Sequence, residues 1–324
     1  MPRGEIAALI MEKWCLIGSV KVWRMNERTC RFVCLVLSAI GLPVLCGADW
    51  PQFRGPHSAS VSQETELPVK WTLEDAAWAV PLPGRCVSSP IVVQDQVVTT
   101  SSSGWQNTRL HIFSVDARMG TVLWERNLWA TGRTFCHPLT SMASPTPATN
   151  GTYLFALFAS NDLVCLDLQG NVRWVRALGM EYPQAFDDRG LGSSPLVIGN
   201  TVILQLECAG DAFALGVDAE TGETRWQVPL AEMINWLSPA ALRVGETELA
   251  LLQATDQLLI VEPQSGGVIA RYDEAAGTSI ASPVACDGTI FMPSKGLTAV
   301  QYVPGEKEPT FRWHDARLGA SGSS

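Results

Sequence analysis

Five Ser-Pro dipeptides punctuate the chain: Ser89-Pro90, Ser144-Pro145, Ser194-Pro195, Ser238-Pro239 and Ser282-Pro283. Successive serines stand 55, 50, 44 and 44 residues apart, a period typical of repeated units of four short strands. Each dipeptide opens the same order of runs. A short apolar run (91–93, 196–198) leads through a polar turn to a second one (97–100, 202–206, 289–292). A third run ends in an acid at residues 110–116, 163–167, 212–218 and 258–262. A glycine turn and a tryptophan run follow: Gly120-x-x-x-Trp124, Gly170-x-x-x-Trp174 and Gly222-x-x-x-Trp226, with Leu128, Leu178 and Leu230 four residues beyond each Trp. This grammar leaves little room for helices. It predicts an all-β chain, a β-propeller of four-stranded antiparallel blades.

Each repeated residue has a reason to be where it is. Proline at the first residue of a strand costs no ladder hydrogen bond. An Asp ahead of a turn (Asp116, Asp167, Asp218) accepts from nearby amides, and glycine supplies the positive φ. Tryptophan on the outer strand is broad enough to fill the wedge between neighbouring blades. Twelve Trp against four Tyr is explained largely by that repeat.

Residues 1–48 read differently. Arg24, Arg28 and Arg31 precede an apolar run over 32–46, followed by Cys46-Gly47-Ala48. Basic, apolar, then small is the order of a secretory signal peptide, and the run is shorter than the roughly 20 residues of a membrane span. Met25 would begin a leader of ordinary length, so 25–48 is expected to be the signal and 1–24 a mis-called extension. An uncleaved anchor is the alternative; a lipoprotein is weaker, because Leu45 precedes Cys46 where a small residue is wanted. The expected destination is periplasmic or secreted, with no transmembrane span after cleavage. Beyond Ala48 the chain has 29 acids and 17 bases, net −12, which argues against a nucleic-acid partner. Five cysteines remain there (Cys86, Cys136, Cys165, Cys208, Cys286), too widely spaced to suggest a disulfide framework.

The segments Val115-Asp116-Ala117-Arg118-Met119-Gly120-Thr121-Val122-Leu123-Trp124 and Val217-Asp218-Ala219-Glu220-Thr221-Gly222-Glu223-Thr224-Arg225-Trp226 resemble the tryptophan-docking repeat of quinoprotein (PQQ-type) propellers. Asp49-Trp50-Pro51-Gln52-Phe53-Arg54-Gly55-Pro56 resembles the N-terminal signature of secreted bacterial PQQ-like repeat proteins. The resemblance covers about residues 49–317 and implies that the docking residues, including Trp78 and Trp313, are structural. There are departures: the second repeat is one residue short between Asp167 and Gly170, the fourth has Arg271 or a neighbour where Trp is expected, and the fifth lacks the Asp-Gly turn before Trp313.

Trp78, with Leu82 four residues on, has the fourth-strand pattern with no first three strands ahead of it, and reads as the N-terminal closing strand of a ring. Gly322-Ser323-Ser324 reads as another Ser-Ser-Pro cut before its proline. The expectation is five full blades, a closing strand and a C-terminal truncation, with a parent ring of about 6–8 blades. The alternative is a natural five- or six-bladed ring with a ragged tail.

For a quinoprotein dehydrogenase the resemblance implies PQQ and Ca²⁺, carboxylate and amide ligands, a general-base Asp and, in many alcohol-oxidising members, adjacent cysteines. The chain has no Cys-Cys dipeptide, and no Glu/Asn/Asp triad emerges from spacing. No metal or other catalytic motif stands out. His111 lies in a third-strand run and reads as packed. The fourth-to-first crossovers are where a propeller binds, and they contain Arg85, His137, Asp187, Asp188, Arg189, Asn235 and Trp236. These are the candidate ligand or partner rim; a solvated acidic loop is the bland alternative, and Trp236 reads equally as anchor or core. Trp50, Phe53 and Arg54 are expected to lock the N-terminal segment onto the ring. The function expected is a non-catalytic scaffold binding a protein partner or small ligand without cofactor, as the propeller subunit of the outer-membrane β-barrel assembly machine suggests by fold analogy. The alternative is a PQQ-dependent oxidoreductase.

Overall fold

The structure, a computed structural model, describes residues 49–65, 67–186, 188–208, 210–273 and 280–318. The signal, the extension before it and the C-terminal Ser-Ser lie outside the described residues. Among the described residues twenty strands form five four-stranded sheets, each antiparallel and with its strands paired in sequence order. Blade one is β1 (Ile91–Val93), β2 (Gln96–Ser103), β3 (Arg109–Asp116) and β4 (Val122–Trp129). Blade two is β5 (Ala148–Thr149), β6 (Tyr153–Leu157), β7 (Asp162–Asp167) and β8 (Val172–Ala177). Blade three is β9 (Leu196–Ile198), β10 (Thr201–Glu207), β11 (Ala212–Asp218) and β12 (Thr224–Pro229). Blade four is β13 (Ala240–Val244), β14 (Thr247–Gln253), β15 (Leu258–Val261) and β16 (Val268–Tyr272), and blade five is β17 (Val284–Cys286), β18 (Thr289–Ser294), β19 (Gly296–Gln301) and β20 (Thr310–Asp315). The top face is the one that carries the second-to-third loops and the fourth-to-first crossovers.

Every blade has a bulge between its third and fourth strands, at Ser114/Val115, Cys165/Leu166, Gly216/Val217, Ile260/Val261 and Ala299/Val300. A bulge bends its strand and adds local twist. The residue across from the position just before it is Trp124, Trp174, Trp226, Ala270 and Trp313 in turn. Blade four therefore has Ala270, the neighbour of Arg271, in the tryptophan place.

The docking geometry is the same four times. Trp78 donates Nε1–H to the carbonyl of Ala117 (3.0 Å), Trp124 to Leu168 (3.0 Å), Trp174 to Ala219 (3.1 Å) and Trp226 to Pro263 (2.9 Å). Each indole lies on the glycine of the receiving turn, respectively Gly120, Gly170, Gly222 and Gly266, where a Cβ would come within 2.5–2.7 Å of the ring. These glycines have φ of 68–80°, so position and conformation both demand glycine. The acid ahead of each turn holds it: Asp116 Oδ1 accepts from the amides of Arg118 and Met119, and Asp218 Oδ1 from those of Glu220 and Thr221. Burial opposes the charge of Asp218, but the bonds from Arg225 and these amides outweigh it and hold the carboxyl below its usual range. Asp167 follows the same balance, with Asn171 as its side-chain donor.

Four apolar cores lie between blades one and two, two and three, three and four, and four and five. No such core joins blade five to blade one among the described residues. Residues 76–84 form no strand. The expected closing strand makes the Trp78 docking contact against blade one but joins no sheet among the described residues.

A belt from blade one to blade five explains the Ser-Pro motif. The amide of Ser89 donates to Thr146 Oγ1 (3.1 Å), that of Thr146 to Ser194 Oγ (3.0 Å), Ser194 to Ser238 (2.9 Å) and Ser238 to Ser282 (2.9 Å). The second member is Thr146-Pro147, a correction to the reading of Ser144-Pro145: Ser144 Oγ donates instead to its own loop, at the carbonyl of Ser141 (2.7 Å).

Residues 49–60 run along the inner strands and touch all five blades. Trp50 pairs with Val92 of blade one, and the Pro51 carbonyl accepts from Thr149 of blade two. Gln52 Oε1 accepts from the amide of Val197 of blade three, and Ser58 Oγ from that of Ala241 of blade four. Arg54 Nη1 donates to the carbonyls of Ser282 and Pro283 at blade five, both at 3.0 Å, while its guanidinium sits 5.4 Å from the Phe53 ring. The expected lock is present, as a pin with a contact in every blade.

Candidate functional site

The crossovers named from the sequence converge on the top face, and most of their contacts are with one another. Arg85 pairs its backbone with Ser102 at 2.8 and 2.9 Å and donates from its guanidinium to the Pro138 carbonyl. His137 donates its amide to the Arg189 carbonyl (3.1 Å), which also accepts from Thr140 Oγ1 (3.2 Å). The Arg189 guanidinium lies 5.7 Å from the Trp236 ring, and Trp236 Nε1 donates to the Gly190 carbonyl (3.0 Å). Trp236 is half-buried and packs on Gly192, so it is a clamp between two crossovers. Asp188 is exposed, and Asp187 lies outside the described residues. Asn235 is turned inward, 3% exposed.

Asn235 leads to a residue the sequence reading missed. Its Nδ2 donates to Glu207 Oε2 (3.2 Å), and Gln205 Nε2 donates to Glu207 Oε1. Gln205 also donates to the Gln253 carbonyl (2.6 Å), and Gln253 Nε2 to that of Pro293 (3.0 Å), so one polar row crosses blades three, four and five. Glu207 is 2% exposed. Burial pushes its carboxyl up to about 7, against the pull of the bonds from Gln205 and Asn235. The available clue was an acid ending the otherwise uncharged, apolar-rich run of residues 201–207. The amide oxygens of Asn161, Gln205, Asn235 and Gln253 are buried with no hydrogen-bond partner.

His111 is packed, as expected. It bonds Ser103 Oγ (2.7 Å) and Glu125 Oε1 (3.0 Å) and stacks at 5.9 Å on Phe113.

The quinoprotein resemblance implies PQQ with Ca²⁺, and the donor set near Glu207 can be tested for that group. The space bounded by Asn161, Glu207, Cys208, Asn235 and Trp236 has room for about one water molecule. Among the described residues no three His, Cys, Asp or Glu side chains gather around a common point. A planar tricyclic quinone with a calcium beside it does not fit this space, and no catalytic step is derived through it. No helix among the described residues is long and apolar enough to cross a membrane.

The family model described as outer membrane protein assembly factor BamB matches residues 21–185 and 111–303. No curated protein matches the chain. Among solved structures, a europium-containing methanol dehydrogenase is similar at 10% identity and TM-score 0.53, over 82% of this chain and 61% of its own. The quinohemoprotein alcohol dehydrogenase of Comamonas testosteroni is similar at 14% identity and TM-score 0.55, over 82% of this chain and 52% of its own. BamB of Moraxella catarrhalis is similar at 15% identity and TM-score 0.49, over 74% of this chain and 67% of its own. This chain therefore spans little more than half to about two thirds of the length of these structures, and at such identities the two dehydrogenases speak for the fold alone. The two overlapping family matches run through most of the sequence, and the chain belongs to the BamB family of PQQ-type repeat β-propellers.

Proposed function

We propose that this propeller is an exported, non-catalytic scaffold that holds a protein partner against its top-face crossovers. The observation that carries this reading is the mutual stitching of four crossovers: Arg85 to Pro138, His137 to Arg189, and Trp236 to Gly190. Loops fixed to one another lose little entropy on binding, which favours a docking platform. The exposed Asp188 and the Arg189–Trp236 pair supply charged and aromatic contacts at its centre, of the kind that anchors interfaces. Two further facts support the reading. The buried carboxylate below the platform has only water-sized room beside it, and the family description is that of an assembly factor. Export to the periplasm or beyond rests on the leader-like order of residues 25–48.

The test is a photo-crosslinking amino acid at position 188 in the full-length protein in its cell of origin. A discrete protein adduct, lost in Trp236→Ala and absent with the label at position 220, is expected. The reading falls if no adduct forms, or if the purified protein, given PQQ and Ca²⁺, oxidises alcohols or sugars with a dye acceptor.

A further inference from the structure

Across blade one and the crossover from blade one to blade two, the top face has a surface beside the platform that its stitching bonds leave exposed. Trp105 and Phe135 are 82% and 70% exposed, Trp129 65% and Leu139 76%. Several contacts tie these residues into one rim. Arg109 lies across from Trp129 in the β3–β4 ladder, with its guanidinium 4.5 Å from that ring. The Ala130 amide donates to the Thr108 carbonyl (2.9 Å), and Asn107 Nδ2 reaches Cys136 Sγ at 4.0 Å, which brings the Trp105 loop to the crossover bearing Phe135. Arg133 of the same crossover stacks on Phe186 at 3.5 Å, beside an open depression of about 370 Å³.

Carboxylates hold several of the arginines, whereas those at this rim, like Arg54 and Arg126 elsewhere, lie against a ring. Arg118, Arg176, Arg225, Arg271 and Arg317 all pair with a carboxylate. Arg109 and Arg133 have aromatic rings beneath them and no ion pair among the described residues. A chain with 29 acids against 17 bases after residue 48 thus places two unpaired guanidinium groups among exposed aromatics. A stacked guanidinium keeps its edge N–H donors turned outward, in the planar fork that matches a carboxylate. An exposed aromatic cluster flanked by arginine is the composition of an interface core.

We infer that this rim docks an acidic polypeptide segment, one with Asp or Glu interspersed with bulky apolar side chains. The carboxylates pair with Arg109 and Arg133, and the apolar side chains cover Trp105, Trp129 and Phe135. This deepens the scaffold reading, on which it rests for the use of the top face, by naming the chemistry of what is bound.

The experiment uses the whole exported chain and a fluorescein-labelled peptide of repeated Glu-Phe-Asp-Leu, read by anisotropy. Its Lys-Phe-Lys-Leu counterpart and phosphatidylglycerol-containing vesicles are the competing probes. The acidic peptide is expected to bind, to weaken with added salt, and to lose about tenfold in affinity in Arg109→Glu/Arg133→Glu. Arg109→Lys/Arg133→Lys is expected to fall between, because the charge stays and the fork goes. Trp105→Ala and Phe135→Ala are expected to weaken binding with the thermal midpoint unchanged. The inference is overturned if the acidic peptide does not bind, if charge reversal leaves its affinity unchanged, or if the basic peptide or the vesicles bind this rim instead. The position-188 adduct separates the two proposals: a surviving adduct with no peptide binding sinks the rim alone, while peptide binding with no adduct sinks the platform.

Discussion

Trp78 and Trp313 belong to the same repeat and are in opposite situations. Trp78 has a receiving turn and no sheet: its indole covers Gly120 and bonds the Ala117 carbonyl, while its own segment forms no strand. Trp313 has a sheet and, among the described residues, no receiving turn. It sits in β20 across from Ala299, 40% exposed, with Phe291 at 6.2 Å as its ring contact. The pair separates two things that coincide in blades one to three, namely being an outer-strand residue and being an interblade wedge. The docking energy is expected to belong to the wedge.

The sharpest way to break this comparison is to truncate the three kinds of tryptophan. Trp226→Ala removes a residue 7% exposed that is both strand and wedge, and an equilibrium denaturation series is expected to show a loss of about 3–5 kcal/mol. Trp78→Ala is expected to cost about half of that, and Trp313→Ala under about 1 kcal/mol. Equal losses at 78 and 313 would show that strand membership, not docking, sets the energy.

Next in size is the buried carboxylate. Burial raises the Glu207 carboxyl in the folded state to about 7 from the usual 4.5 of a glutamate, so the folded protein holds a proton that the unfolded chain has released. That stabilises the fold at low pH, and the contribution is lost as pH rises from about 4.5 through about 7. The loss amounts to about 3 kcal/mol. Glu207→Gln is expected to flatten this slope in melts taken at stepped pH, and to leave the contrast between Trp78 and Trp313 unchanged.

Arg54→Ala sharpens the comparison from the other side, because the pin spans blades one and five where no core does. Losing its two carbonyl bonds is expected to cost about 1.5–3 kcal/mol by denaturant midpoint. It is also expected to raise hydrogen exchange in blades one and five more than in blade three. Smallest is the belt. Ser238→Ala leaves the buried Ser194 amide without its acceptor, for about 1–2 kcal/mol, whereas Ser144→Ala is expected to cost less because its bonds lie within one loop.

Much of the fold was legible because the repeat is chemically redundant. Asp, Gly and Trp recur at fixed offsets, and each has one local task that the residue type announces. The platform was legible only as a list of crossover residues. That Trp236 clamps and Asn235 turns inward depends on the height at which one crossover passes another, which spacing does not encode. Glu207 escaped notice because only Gln205 among its partners lies nearby in sequence: Asn235 arrives from a crossover, and Gln253, which holds Gln205, from another blade. The Ser144 reading erred because two proline dipeptides stand two residues apart, and only the belt shows which hydroxyl faces the next blade.

By itself the sequence determined the all-β class, the blade period, the outer-strand tryptophans and the lock by Trp50, Phe53 and Arg54. Those follow from local rules: strand periodicity, the conformational freedom of glycine and the missing amide hydrogen of proline. The tertiary structure alone decided that residues 49–60 reach every blade, that Ala270 and Trp313 break the docking pattern in different ways, and that a carboxylate lies buried under the platform beside an aromatic and arginine rim. These are meetings between segments far apart in the chain, and distance along the chain carries no information about which surfaces a ring of blades will bring face to face.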